Sequence, residues 1–175
     1  MSSINELLED LNKRILTSLP FRAVLYEQAH LQPKNEQTFP VVNKGNRKGI
    51  VISPNDNVPL QAYHRILEST TDTNPELGYG KKAYRKRIYS VRNVWIGSLK
   101  RLPIKSFETN DELKNEVFKA FPNVLTNNEV IIPISESVDK LDVLSEEFDG
   151  INMSSLSLDL VAFYINYEIH QRVDC

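Results

Sequence analysis

Cysteine is nearly missing from this chain: of 175 residues only the last, Cys175, carries a thiol. A single cysteine cannot close a disulfide within the chain, and a chain end is a poor place for a packed nucleophile. Histidine is scarce too, with His30, His64 and His170 the only three. None stands three or four residues from another, and none lies beside the cysteine, so no local pair of zinc ligands exists. We expect these histidines to face solvent or to be incidental. No apolar run approaches the ~18 residues that cross a bilayer. The opening MSSINELLEDLNKR is acidic where an export signal is cationic and then apolar, which predicts a soluble, unexported protein.

What remains is ordinary in bulk: 41% hydrophobic, 25% charged, a formal net charge of −2 and neither repeat nor low-complexity tract. At this length one domain over 1–175 is the expectation. Ile4, Leu7, Leu8, Leu11 and Ile15 recur at helical spacing behind a capping box of Ser3 and Glu6, and Pro20 ends the helix. Phe21–Glu27 reads as a strand. Phe39–Val42 and Ile50–Ile52 read as a hairpin around NKGNRKG, where Gly45 and Gly49 supply positive φ. Residues 54–80 carry Pro54, Pro75, Gly78 and Gly80 in turn contexts and read as a long loop or arm, with a short ordered piece near Leu60–Leu67.

Tyr84–Ile96 reads as a basic strand. Tyr89, Val91 and Trp95 share one parity, while Ile88, Val94 and Ile96 share the other. Its start is expected to be exposed on both faces and its end buried on both. Thr109 and Glu112 form a second capping box, before a helix with Leu113, Val117, Ala120 and Phe121 on one side. Val130–Ile134 is a short strand, and Val138, Leu141, Leu144 and Phe148 suggest a looser amphipathic helix. Leu156–Ile169 is the most strand-like run, expected to be central and bent because ordinary strands are about 5–6 residues. The order predicts an α+β domain. Its sheet is mainly antiparallel, with the N-terminal helix and one or two further helices packed on one face and long strand or loop extensions.

The search for chemistry returns little. Gly78-Tyr79-Gly80-Lys81-Lys82 has glycines and lysines, but a basic strand follows instead of a helix, and no hydroxyl stands after the lysine to hold magnesium. Asp139, Asp142 and Glu146 would share a helix face, as an acid–base pair requires, yet they alternate with apolar residues as a solvated face does. No Gly-x-Ser-x-Gly occurs. The sequence therefore assigns no catalytic, cofactor or metal residue.

Charge is distributed unevenly. From Leu77 to Phe107 there are nine basic residues and no acidic one; from Glu108 to Leu160 there are twelve acidic and three basic. Three readings of the basic stretch stay open. It could track a nucleic-acid backbone with Arg85, Lys86, Arg87 and Arg92 while its aromatics stack, as a small binding module over 81–105. It could be an edge strand kept soluble by its cations. Or it could meet the acidic half of a neighbouring copy, with Arg85, Lys86, Arg87 and Arg92 facing Asp139, Asp142, Glu146 and Glu147. The near balance of the two surpluses favours the third.

The helix INELLEDLNKRILTSLP running into FRAVLYE, the capped helix TNDELKNEVFKAFP and the closing strand LSLDLVAFYINYEI together resemble the tail terminator and tail-completion proteins of tailed phages. The resemblance is one of layout over about two thirds of the chain, and no single motif is diagnostic. It implies a non-enzymatic virion protein of the neck or tail, assembled in the host cytoplasm. It also implies a homo-oligomeric ring, hexameric or dodecameric, that touches connector or tail-tube proteins, with DNA passing nearby and no membrane or cofactor.

Overall fold

Two reciprocal caps start the longer helices where the sequence places them. The Ser3 amide donates to Glu6 Oε2 at 2.6 Å and the Glu6 amide to Ser3 Oγ at 3.3 Å. Thr109 and Glu112 repeat the arrangement at 3.2 Å in both directions. Each pair satisfies two amides that the helix leaves without carbonyls. The computed structural model describes residues 2–35, 37–42, 49–54, 60–73, 84–102, 109–126, 129–137, 139–149, 152, 156 and 158–174. Within them lie α1 (Ile4–Ser18), β1 (Val24–Lys34), β2 (Gln37–Val42), β3 (Ile50–Val51), β4 (Gln61–Thr73), β5 (Tyr84–Ser98), α2 (Asn110–Ala120), β6 (Val130–Ser137), α3 (Lys140–Glu147) and β7 (Leu160–Asp174).

The strands form one seven-stranded sheet in the order β3-β2-β1-β4-β5-β7-β6. Among these strands only β1 and β4 run parallel; every other pair is antiparallel. The α+β class and the mainly antiparallel sheet are thus as expected. Strand parity then builds two cores. On the first face Tyr89, Val91 and Trp95 of β5 join Phe163, Ile165 and Tyr167 of β7 beneath α1 and α2. Trp95 stacks on Phe163 with centroids 6.0 Å apart and planes 5° apart. Four α1 side chains there, Leu7, Leu8, Leu11 and Ile15, are at most 2% exposed. At about 1.5–3 kcal/mol each, their burial contributes roughly 6–12 kcal/mol of gross stabilisation to the docking of α1. On the second face Val94, Ile96, Tyr63 and Ala162 pack with Val143 and Leu144 of α3, with Phe148 at its C-cap, with Ala29 and Val42 of β1 and β2, and with Ile52 just after β3.

Several expectations change. Of the further helices only α2 shares a face with α1, while α3 lies on the opposite one. Half of the expected loop 54–80 is β4, a thirteen-residue strand whose inner end sits between β1 and β5. Prolines and glycines bracket that strand without entering it, and its polar outer half gave no apolar alternation to read. The first strand runs on to Lys34, where Asn35 takes φ 51° in the turn into β2. The closing strand begins at Leu160, extends to Asp174, and lies one strand in from the edge. The glycine loop around Gly45, the segment Gly78–Lys82 and Cys175 lie outside the described residues.

Gly97 lets Leu60 approach β5 closely: a Cβ there would stand 2.6 Å from the Leu60 Cα. Backbone cannot yield as a side chain tip does. Gly97→Ala is expected to cost about 1–3 kcal/mol or more, read as a lower urea midpoint at unchanged slope. A midpoint equal to that of the parent would show that Leu60 does not cross the strand this closely.

Candidate functional site

The basic strand and the acidic helix do meet, but within one chain. Arg65 of β4 and Arg92 of β5 are direct cross-strand partners on the second face. Two guanidinium groups about 5 Å apart repel by roughly 3 kcal/mol at the effective dielectric of a protein surface. The last turn of α3 answers this with Glu147, whose side chain is wholly buried. Its Oε1 accepts from Arg65 at 2.7 Å and from Arg92 at 3.4 Å, and its Oε2 accepts from the Tyr63 hydroxyl at 3.0 Å. Burial, with Glu147 beside it, pushes the Tyr63 hydroxyl well above its ordinary pKa, so it remains a donor. Glu146, half exposed, closes on Arg92 from outside. Arg92 also lies 3.9 Å above the Tyr164 ring and donates to Asn166 Oδ1 at 3.0 Å.

Of the eight residues assigned to a contact between subunits, Arg92, Glu146 and Glu147 therefore belong to an internal clasp. A fourth, Asp139, caps α3: its Oδ1 accepts from the amides of Leu141 at 2.8 Å and Asp142 at 3.2 Å, and the residue stays exposed. Asp142 is exposed on the same helix. Asp139, Asp142 and Glu146, read together as a solvated face, are all exposed, whereas Glu147 lies off that face. It follows Val143 by four and Leu144 by three, so it occupies a core position of the α3 stripe. That spacing was visible in the sequence.

The remaining cations stand at the outer end of β5. There, among the described strands, β4, β5 and β7 make a three-stranded ribbon, in which Thr71, Arg87 and Gln171 are aligned and Asp72, Lys86 and Arg172 form the next row. Arg85 is exposed, and Lys86 and Arg87 are half-buried. Strand alternation puts Arg85 and Arg87 on the first face and Lys86 and Arg92 on the second. The four cations thus form no single track for a phosphate backbone. Seven residues separate Arg85 from Arg92, which is about 23 Å of strand, so the ribbon end stands clear of the clasp.

A second polar cluster was missed. His64 is fully buried, contrary to the expectation of a solvent-facing ring. The Asn12 amide donates to the Tyr26 carbonyl at 3.1 Å, which turns Asn12 Oδ1 toward His64 Nε2 at 2.8 Å. Nε2 therefore carries the ring proton. Nδ1 accepts from the Tyr167 hydroxyl at 2.8 Å and from Asn93 at 3.3 Å. Asn93 also donates to the Tyr63 carbonyl at 3.2 Å and accepts from the Trp95 indole. Every nitrogen in the chain of bonds has a partner, and α1 is tied to four strands. The first-face stripe of α1 includes Asn12 at a core position, a signal that something polar lies beneath it. His30 is exposed, and His170 bonds Glu168 at 2.5 Å.

Among the described residues, two clefts illustrate how open the surface is. One, of about 330 Å³, is lined by Asn115, Phe118, Pro133, Ile134, Ser135 and Glu136; the other, of about 340 Å³, by Asp10, Lys13, Arg14, Thr17, Ser18 and Pro122. Neither contains a histidine or any residue of the clasp. Among the described residues no three of His, Cys, Asp and Glu converge to hold a metal ion.

The clasp and the histidine give separate tests. Glu147→Ala leaves two half-buried guanidinium groups opposed and is expected to cost about 2–3 kcal/mol, less than a fully buried pair because water still reaches both arginines, whereas Glu146→Ala, at a half-exposed pair, should cost under about 1 kcal/mol. Urea titrations of both variants measure the difference, and equal effects would mean that the clasp does not depend on the buried carboxylate. Burial lowers the His64 pKa from 6.5 to about 3. The unfolded chain therefore binds a proton that the folded chain refuses, and stability present above pH 6.5 falls as pH drops toward 3. The loss should reach about 2 kcal/mol by pH 5. His64→Gln should remove that part of the slope; a slope unchanged by the substitution would assign it to other groups. No protein-family model matches this chain, and no curated protein matches it.

Proposed function

We propose that this protein is a non-enzymatic assembly subunit that closes head to tail into a ring. Its place is the neck or tail of a tailed phage, as a tail terminator or head–tail connector component. The observation that carries the reading is where exposed and half-buried charge remains once the clasp has used Arg92, Glu146 and Glu147. Cations stand at the outer end of β5, in Arg85, Lys86 and Arg87, and carboxylates stand on α3, in Asp139 and Asp142. Two unlike patches at different places on one chain fit a heterologous contact, and such a contact generates a ring when the rotation closes. Complementary charge there would set register and speed encounter more than it would add affinity. The sealed state of the His64 cluster agrees with a structural role. The separation of Arg85 and Arg87 from Lys86 and Arg92 by strand face weighs against a nucleic-acid module, whose contacts need to share a surface.

Light scattering at low and high salt tests the reading. A closed oligomer that loosens as salt rises is expected, since exposed charges more than about 8–10 Å apart are screened at 0.1–0.15 M. Arg85→Glu, at an exposed position, should weaken association by about tenfold or more while leaving the urea midpoint nearly unchanged, whereas Arg87→Glu also loses the bond that Arg87 donates to the Tyr89 hydroxyl at 3.3 Å and is expected to lower that midpoint. A parent protein that stays monomeric at every salt concentration, and also in the presence of connector and tail-tube proteins, would sink the proposal.

A further inference from the structure

We infer that the outer edge of β4 is an acceptor for an extended, cationic segment of a partner chain, which would join the sheet as an added strand. The inference stands on the sheet geometry and not on the ring reading. β1 pairs with β4 only from Val24 to Gln28, opposite Gln61 to His64, and then turns to pair with β2. β4 continues to Thr73, held on its other side by β5 through the pair Thr73 and Arg85. Beyond His64, among the described residues, no strand lies against the β1 side of β4. Residues Leu67 to Asp72 are all exposed.

An open strand of this length presents a row of unpaired amides and carbonyls, and proteins usually blunt such an edge with lysine, proline, a bulge or brevity. The other two edges of this sheet follow that rule. β3 has two residues, and β6 carries Pro133 with a register shift beside it. β4 has one irregularity, between Ile66 and Glu68, and then runs Glu68-Ser69-Thr70-Thr71-Asp72 with neither proline nor lysine. Threonine favours extended backbone, so this edge is shaped for pairing.

Charge selects the occupant. The only ionisable residues from Ile66 to Thr73 are Glu68 and Asp72, both acidic and both on the second face. Two copies joined edge to edge through Ser69–Thr71 would set these carboxylates against one another, directly or diagonally, which destabilises a pair of strands. A strand bearing lysine or arginine on that face meets them with opposite charge. Asp72 already has Lys86 across the ladder, so Glu68 contributes more of the selection. Affinity would come from the main chain and preference from the alternate side chains.

Hydrogen exchange of the full-length protein tests this, using a short capped peptide that alternates lysine and valine and a control that alternates glutamate and valine. The lysine peptide is expected to slow exchange by about tenfold at alternate amides between Leu67 and Asp72, those on the open side. The glutamate peptide should leave them fast. Glu68→Lys, at an exposed position, should weaken lysine-peptide binding about fivefold or more with the near-ultraviolet spectrum of Trp95 unchanged. Protection placed on β6, or none at saturating peptide, overturns the inference. Equal protection by both peptides overturns the cationic assignment. Protection of the same amides in the protein alone, rising with its concentration, overturns the partner strand in favour of a second copy.

Discussion

The carboxylate of Glu147 decides how this chain uses its charge. Two arginines face each other across adjacent strands, an arrangement that destabilises a sheet unless an anion stands between them. α3 provides that anion from its last turn, fully buried, and by doing so fixes its own place on the second face. Desolvating a carboxylate costs several kcal/mol, and here two guanidinium groups and a phenol offset that cost. The geometry is demanding, so the clasp specifies where α3 sits more than it adds net stability. Phe148 and the bond from the Thr38 amide to the Asp149 carbonyl at 3.1 Å then carry the same constraint to β2.

The two faces of the sheet solve one problem in different ways. Each needs a polar fastening to orient a helix over apolar side chains that would accept several orientations. The first face uses neutral groups: Asn12, His64, Asn93 and Tyr167 pass hydrogen bonds from α1 through β4 to β5 and β7. Burial lowers the histidine pKa, so this fastening weakens only in acid. The second face uses ions, which persist at every moderate pH and are too deep for salt to screen well. The neutral network is sensitive to acid, and the ionic clasp is sensitive to loss of one partner. β4 supplies both, His64 to one side and Tyr63 and Arg65 to the other, so its inner half is the strand on which both faces depend.

The range over which each signal acts decides how much of this fold was legible in the sequence. Caps act over three residues, and both boxes were legible. Strand parity acts over two, and the burial of β5 alternates and then closes as its sequence suggests. β4 escaped notice because half of it has water on both sides, and the irregularity after Ile66 shifts the parity of its outer residues. A strand with no apolar alternation has no periodic signature. The role of His64 was invisible for another reason: its partners lie 52, 29 and 103 positions away. Glu147 lies between these cases. Its place in the apolar stripe of α3 was readable, but the two arginines that make it tolerable there come from β4 and β5.

Segregated charge takes a different meaning from that dependence. A basic block and an acidic block in one sequence invite the idea of a contact between molecules, and part of that contact proves to be within the chain. The clasp takes the cation nearest the buried end of β5 and leaves those at the exposed end. Burial sorts the charges. Where the strand is covered, a cation must find a carboxylate at once or destabilise the fold, so pairing is settled during folding. Where the strand runs out into water, an unpaired cation costs almost nothing and stays available. The cation most open to a partner is therefore the one that the fold uses least, and on β5 that is the exposed Arg85, since Arg87 still donates to the Tyr89 hydroxyl and Lys86 stands opposite Asp72.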